Sequence, residues 1–281
     1  MSIRIKNTLV VITWDGVSNP LNHILIDTDK KFDLLIYDYS GKADINNFEN
    51  IHSNLFFSVK SECKGDILQN LYKYITENSL YSYQYIGVFD DDIFISYSDL
   101  NKLIFIATLE NLDVFQASLS HDSYYNHRQF IHKPGHLIQE TLWVEIMAPF
   151  YRMEIFLKAG PFLYHSISGT GVDVYLIPTI QRLLTLNKTY IVHGVQMKHC
   201  RPIRTDNRIF SNGKTNLEEI VVMNEISSII VKENPEFFTS LFQEQILDRT
   251  YTYGIPLKYK IKRIPNMLKN LYKLLVDSSY R

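Results

Sequence analysis

The chain reads as an α/β protein built on a mainly parallel sheet. Three observations predict this. Apolar, β-branched runs such as "TLVVITW" (8–14) stop at loop residues, as buried strands do. A helical periodicity stands between two of those runs. The alternation strand–loop–strand–helix–strand fills the first ninety or so residues, the pattern of a parallel α/β sheet.

In order, "TLVVITW" closes on Asp15-Gly16, and "FDLLIYDYSG" (32–41) and "NLFFSVK" (54–60) read as further strands. In "GDILQNLYKYITENS" (65–79), Ile67, Leu68, Leu71, Tyr74 and Ile75 share one helical face. "YQYIGVF" (83–89) is a strand that runs directly into Asp90, Asp91 and Asp92. A helix follows, capped at Ser96 or Ser98, and then the strand "DVFQASLS" (113–120). "ETLWVEIMAPFYRMEIFLKA" (140–159) mixes a strand with a helix begun near Pro149, and "TYIVHGVQMKH" (189–199) is a late strand. Residues 217–233 and 235–247 read as two amphipathic helices. The expected division is one domain over 1–235 and a helical, basic tail over 236–281.

The 281 residues are ample for a large core, with 46 % apolar and 21 % charged residues. A formal net charge of −1 argues against a protein that coats nucleic acid. Two cysteines, Cys63 and Cys200, make no disulfide framework and suit a reducing cytoplasm. No apolar run approaches the roughly eighteen residues of a membrane span. The expected location is cytoplasmic, with contact to a membrane at most at its surface.

The aspartate triplet carries the functional signal. Three adjacent carboxylates at the end of an apolar strand are costly unless something neutralises them. In open α/β sheets ligands bind outside the carboxyl ends of the strands, where these residues fall. Along an extended chain Asp90 and Asp92 point to one side and Asp91 to the other. Mn²⁺ or Mg²⁺, with its shell completed by a substrate diphosphate, is an economical counter-charge. A solvated acidic loop, or a cap for the next helix, is the plain alternative.

"YQYIGVFDDDI", "FQASLS", "WVEIMAPFYRMEIF", "GTGVDVYLI" and "YIVHGVQ" follow one another between Lys60 and Gln196. In this order they resemble a family of GT-A-like proteins with DDD, WVE-MAP, GWG-D and VVH segments, and the triplet looks like the DxD motif of nucleotide-sugar glycosyltransferases. The resemblance implies a GT-A, Rossmann-like sheet flanked by helices, with a C-terminal helical extension. It implies a metal-dependent enzyme that moves a sugar from a nucleotide donor to an acceptor hydroxyl, in bacterial surface polysaccharide or glycolipid assembly. Asp90 would meet the donor ribose and share the metal, Asp92 would ligate the metal, and Asp91 would orient them. His193 would be the metal ligand from the late strand, with His199 as second candidate. Asp173 would be the catalytic base and Glu145 its rival, while Trp143 would stack on the acceptor. Thr170 stands where the family has Trp. Thr13, Trp14, Asp15 and Asp38 would hold the nucleoside, and Lys64 the phosphates.

From Lys258 to Lys273 six basic residues interleave with apolar ones and no acidic residue occurs. This basic amphipathic segment suits an anionic membrane surface. Two further functions fit the aspartates. A metal-dependent phosphohydrolase also uses DxD after a strand, but Phe94 and the late position depart from its pattern. A non-catalytic nucleotide- or sugar-binding protein of the same fold is the other.

Overall fold

In the computed structural model, residues 7–43, 53–203, 208–239 and 242–243 are described. The elements are β1 (Thr8–Trp14), β2 (Ile24–Leu25), β3 (Asp33–Asp38), β4 (Leu55–Ser58), α1 (Lys64–Glu77), β5 (Tyr85–Phe89), β6 (Ile93–Ser96) and α2 (Tyr97–Glu110). They continue with β7 (Val114–Leu119), β8 (Ile138–Glu140), β9 (Phe150–Arg152), α3 (Met153–Ala159), α4 (Ile177–Leu183), β10 (Thr189–His199) and α5 (Asn216–Glu233).

Every residue of β1 is buried, because both faces of the sheet are covered. Side-chain alternation divides the strand between two cores. Leu9 and Val11 join Leu35, Tyr37, Ile86 and Val88 against α1, α3 and α5. Val10, Ile12 and Trp14 join Leu34, Ile36, Tyr85 and Phe89 against α2. The same alternation thus builds a three-layer protein from one strand pattern.

The strand order is β2-β6-β10-β7-β9-β5-β1-β3-β4, with β8 beside β10. The pairs β1–β3, β1–β5, β3–β4 and β7–β10 are parallel, as the sequence predicts. Strand β9 enters antiparallel between β5 and β7. Its close approach needs Gly87, where a Cβ would lie 2.4 Å from the Phe150 ring.

Three details differ from the sequence reading. The helix expected from Pro149 begins only at Met153, because Phe150–Arg152 pair as β9 first. The chain does not continue extended through the aspartates. It turns there, with Ile93 N–H donating to the Asp90 carbonyl, and returns as β6, a strand not anticipated from "IFIS". Of the helix expected over 235–247, the described part is a short 3-10 turn at Pro235–Phe237 and residues 242–243. Phe238 and Phe242 pack into the same core as β1 and α1. The basic segment 258–273 lies outside the described residues. The cap at Ser96 is present, its side chain accepting from Asp99 N–H.

Candidate functional site

A cleft of about 780 Å³ opens at the carboxyl ends of the central strands. It is lined by Thr13 from β1, Lys64 from α1, the three aspartates after β5, Trp143 and Glu145 before β9, Asp173, and His199 and Arg201 at the end of β10. A pocket of this size suits a small-molecule or cofactor ligand. Residues distant in sequence converge because strand ends are gathered at one edge of the sheet.

The turn separates the three aspartates. Asp90 faces Lys64, whose ammonium lies 2.6 Å from its Oδ1 and 3.1 Å from the Val88 carbonyl oxygen. Burial pushes the Asp90 carboxyl up, and the Lys64 ammonium opposes that shift. Asp91 accepts from the Tyr39 hydroxyl at 2.9 Å and from Arg201 Nη2. Asp92 accepts from Arg201 Nε at 2.8 Å, and His199 Nε2 stands 3.3 Å from the same Oδ2. Among the described residues its other oxygen, Oδ1, is buried without a hydrogen-bond partner. Burial alone would raise the Asp92 carboxyl, but His199 and then Arg201 outweigh it and hold it below the usual range.

His199 is oriented for ligation. Its Nδ1 lies 3.0 Å from the Tyr124 carbonyl oxygen, which can only accept, so Nδ1 carries the proton. In the neutral ring, Nε2 then presents its lone pair to a carboxylate. That juxtaposition is relieved by a proton on Nε2, which the Asp92 carboxylate favours against the effect of burial, or by a metal ion in the proton's place. A backbone-tied imidazole is also how metal-ligating histidines are held. One imidazole nitrogen and one carboxylate with an unpartnered oxygen fit a divalent ion. Among the described residues no group of three or more His, Cys, Asp or Glu side chains is arranged to hold a metal. The remaining ligands would have to come from a bound substrate, as they commonly do for Mg²⁺.

The structure does not bring His193 to this place. It lies six residues earlier on β10, about 20 Å along a strand. There Nδ1 accepts from Lys133 N–H and Nε2 bonds Gln139 Oε1. Burial, then the charges of Lys133, His132 and His136, lower its pKa to about 4.

Asp173 reaches the cleft through a loop of unusual backbone. Gly169 and Gly171 have φ of +85° and +88°, a region that favours glycine. A Cβ on Gly169 would also lie 2.6 Å from Ile146 Cδ1. Burial raises the Asp173 carboxyl to about 7, despite backbone N–H groups such as Val174 that favour its anion. Glu145 is buried, its Oε2 has no hydrogen-bond partner, and burial followed by the Asp173 charge pushes its pKa well above the ordinary range.

The remaining expected residues divide by position. Thr13 lines the cleft. Trp14 is buried, and its indole N–H donates to the Ser18 carbonyl. Asp15 accepts from Val17 and Ser18 N–H and feels the charge of Arg201. Asp38 spends both oxygens on its own loop, accepting from Ser40, Lys42 and Ala43 N–H and the Ser58 hydroxyl. Trp143 lines the cleft with its ring edge-on to His127 and Phe130. Sequence reasoning missed Arg201, Tyr39 and Arg208. The first of these had a signal, since it is the first basic residue past "MKH", at the end of the late strand.

No protein-family model matches the chain, and no curated protein is similar to it in sequence. Solved structures share its chain path. S. aureus TarS 1-349 superposes with a TM-score of 0.57 at 11 % identity, over 94 % of this chain and 77 % of that one. The same protein in complex with UDP-GlcNAc gives 0.57 at 14 % identity, over 89 % and 76 %. GalNAc-T7 with UDP, GalNAc and Mn²⁺ gives 0.57 at 10 % identity, over 96 % and 58 %. The chain has the GT-A fold. Its curled, mostly parallel sheet flanked by helices belongs to that architecture. At these identities the likeness is one of fold.

Among the described residues, no helix is long and apolar enough to cross a membrane.

Proposed function

We propose that the protein is a glycosyltransferase that moves a sugar from a nucleotide-sugar donor to an acceptor hydroxyl. The observation that carries this is the pairing of Asp92 and His199 at the cleft edge, with one carboxylate oxygen left buried and unpartnered. The structures of like fold that hold UDP-GlcNAc, or UDP with Mn²⁺, support the choice of ligand.

Asp92 and His199 would hold Mn²⁺ or Mg²⁺, with diphosphate oxygens completing the shell. When bound, such an ion supplies positive charge that stabilises a departing diphosphate. Asp90, fixed by Lys64, and Asp91, fixed by Tyr39, line the donor side. Asp173 accepts the proton of the acceptor hydroxyl as that oxygen bonds to the sugar C1. The C1–O bond to the diphosphate breaks, and the nucleoside diphosphate leaves with the electron pair. A carboxyl poised near neutral pH is suited to this task. Burial and then the Asp173 charge push Glu145 well above its ordinary range, so the two carboxyls take separate roles. This displacement inverts the anomeric centre. Trp143 contributes an apolar wall on the acceptor side.

The test is a thermal-shift screen of nucleotides and nucleotide sugars with and without Mn²⁺. A stabilising shift by one nucleotide that requires Mn²⁺ and vanishes in Asp92→Ala is expected. Asp92→Ala retaining the full Mn²⁺-dependent shift would exclude the site.

A further inference from the structure

We infer that Arg201 is an exchangeable counter-cation for Asp91 and Asp92, which a divalent ion replaces as a nucleoside diphosphate takes up the guanidinium. The inference rests on the glycosyltransferase reading of the cleft and concerns how its ligands become coupled.

Four observations carry it. Arg201 spans two carboxylates at once, with Nη2 on Asp91 and Nε on Asp92. The oxygen it contacts on Asp92, Oδ2, is the one His199 Nε2 faces, so an ion shared by Asp92 and His199 competes with the guanidinium for that carboxylate. Asp92 is only 7 % exposed, and its Oδ1 is buried without a partner, so guanidinium binding leaves the carboxylate half satisfied. Arg201 itself has a side chain 52 % exposed, and it lies beyond the end of β10. It is therefore the member of the cluster that can leave at low cost.

The counter-charges differ in kind. Lys64 is buried and doubly held by Asp90 and the Val88 carbonyl, and its site is permanent. Arg201 reaches its carboxylates from a half-exposed position. Planar guanidinium also suits phosphate at least as well as carboxylate, because its donors pair two oxygens at once. When a diphosphate enters the cleft, Arg201 has a second anion to bind. Asp92 and His199 are then released to a metal ion, and the diphosphate lends that ion further oxygens. Metal and nucleotide thereby favour each other, and by linkage the coupling is reciprocal.

The experiment is titration of the full chain with Mn²⁺, reading free Mn²⁺ by electron paramagnetic resonance, alone and with saturating UDP as the probe nucleotide. Arg201→Ala is expected to bind Mn²⁺ alone about tenfold more tightly than the wild type, within the usual range for coupled sites. The gain that UDP gives the wild type should shrink by a similar factor in Arg201→Ala. Arg208→Ala removes the same charge from the cleft, but Arg208 pairs with Glu62, not with the aspartates. It should change Mn²⁺ affinity less than about twofold, a shift expected of a screened charge without contact. Wild-type or weaker Mn²⁺ binding by Arg201→Ala would overturn the inference, as would equal gains from Arg201→Ala and Arg208→Ala. If the wild type with UDP binds no Mn²⁺, the metal reading of Asp92 and His199 fails first, and this inference with it.

Discussion

The Ile167 N–H donates to Glu219 Oε1 at 2.9 Å, tying the glycine loop that delivers Asp173 to helix α5. The other oxygen of Glu219 accepts from Ser168 N–H at 2.9 Å and Ser166 Oγ at 3.1 Å, and also from Ser168 Oγ. Asn212 Nδ2 completes the set at 2.7 Å. A fully buried carboxylate is thus solvated by five donors of the described residues, and it adds to the loop's own hydrogen bonds in fixing its shape.

Glu219→Ala should therefore destabilise the protein by about 2–4 kcal/mol, since two backbone N–H groups and three side-chain donors lose their acceptor. Glu219→Gln should lose less, because its amide keeps one acceptor oxygen. Urea denaturation at unchanged m-value measures both.

Asp173 gives the activity and the stability opposite responses to pH. Its carboxyl is raised from 3.8 to about 7 in the folded state. Between those values the folded chain holds a proton that the unfolded chain has released. Stability contributed at this group is therefore present below about pH 4 and declines as pH rises toward 7. With Asp173 as the proposed base, transfer needs the anion, so kcat/KM should rise through an apparent pKa near 7. Asp173→Asn should abolish that rise and flatten part of the stability slope. The Glu145 contribution, of the same sign, would remain. A pH profile of nucleotide release from the donor and pH-dependent thermal melts read the two effects.

His193 should behave as a structural histidine. Its pKa is lowered from 6.5 to about 4, so it favours folding only while neutral. Its contribution is fully present above pH 6.5 and is lost as pH falls toward 4. His193→Gln should reduce the acid sensitivity of melting in that window. Mn²⁺ affinity should stay at the wild-type value in His193→Gln and fall at least about tenfold in His199→Ala, as loss of a ligand entails.

Lys64 and Asp90 should prove energetically coupled. Lys64→Ala leaves a partly buried carboxylate without its cation and should cost about 1–3 kcal/mol. Asp90→Ala strands the buried ammonium at a similar cost. The double variant should cost clearly less than the two singles together, the signature of a direct pair. Chemical denaturation of the four proteins measures the cycle.

The strand ends of the sheet were legible because their signal is local. β1, β3, β5 and β7 each announce themselves as apolar runs stopped by a polar residue, and Asp90–Asp92 mark the edge where the cleft opens. What the sequence could not show depends on return paths. Strand β6 is four residues of "IFIS", too short to carry a periodicity, and it exists because β10 lies beside it. Asp91 and Asp92 share Arg201 because the chain turns, which an extended reading of "DDD" excludes. Which of His193 and His199 lies beside the aspartates depends on where β10 ends. The residue at the strand end faces the aspartates, while the one in mid-strand cannot. Asp38 closes its own loop, an arrangement with the same sequence signature as a ligand-facing carboxylate.

The place of β10 in the sheet also bears on how the cleft comes into being. It lies between β6 and β7, yet it is the last strand among the described residues. Lys64 precedes the aspartates it serves by 26 residues, whereas Arg201 follows Asp91 by 110. A growing chain that has produced β1 to β9 has a gap in its sheet, and Asp91 and Asp92 still face water there. Insertion of β10 fills the gap and brings His199 and Arg201 to the carboxylates in one event. Cleft formation then reports completion of folding, and a fragment that stops before residue 189 should leave an open sheet edge prone to association.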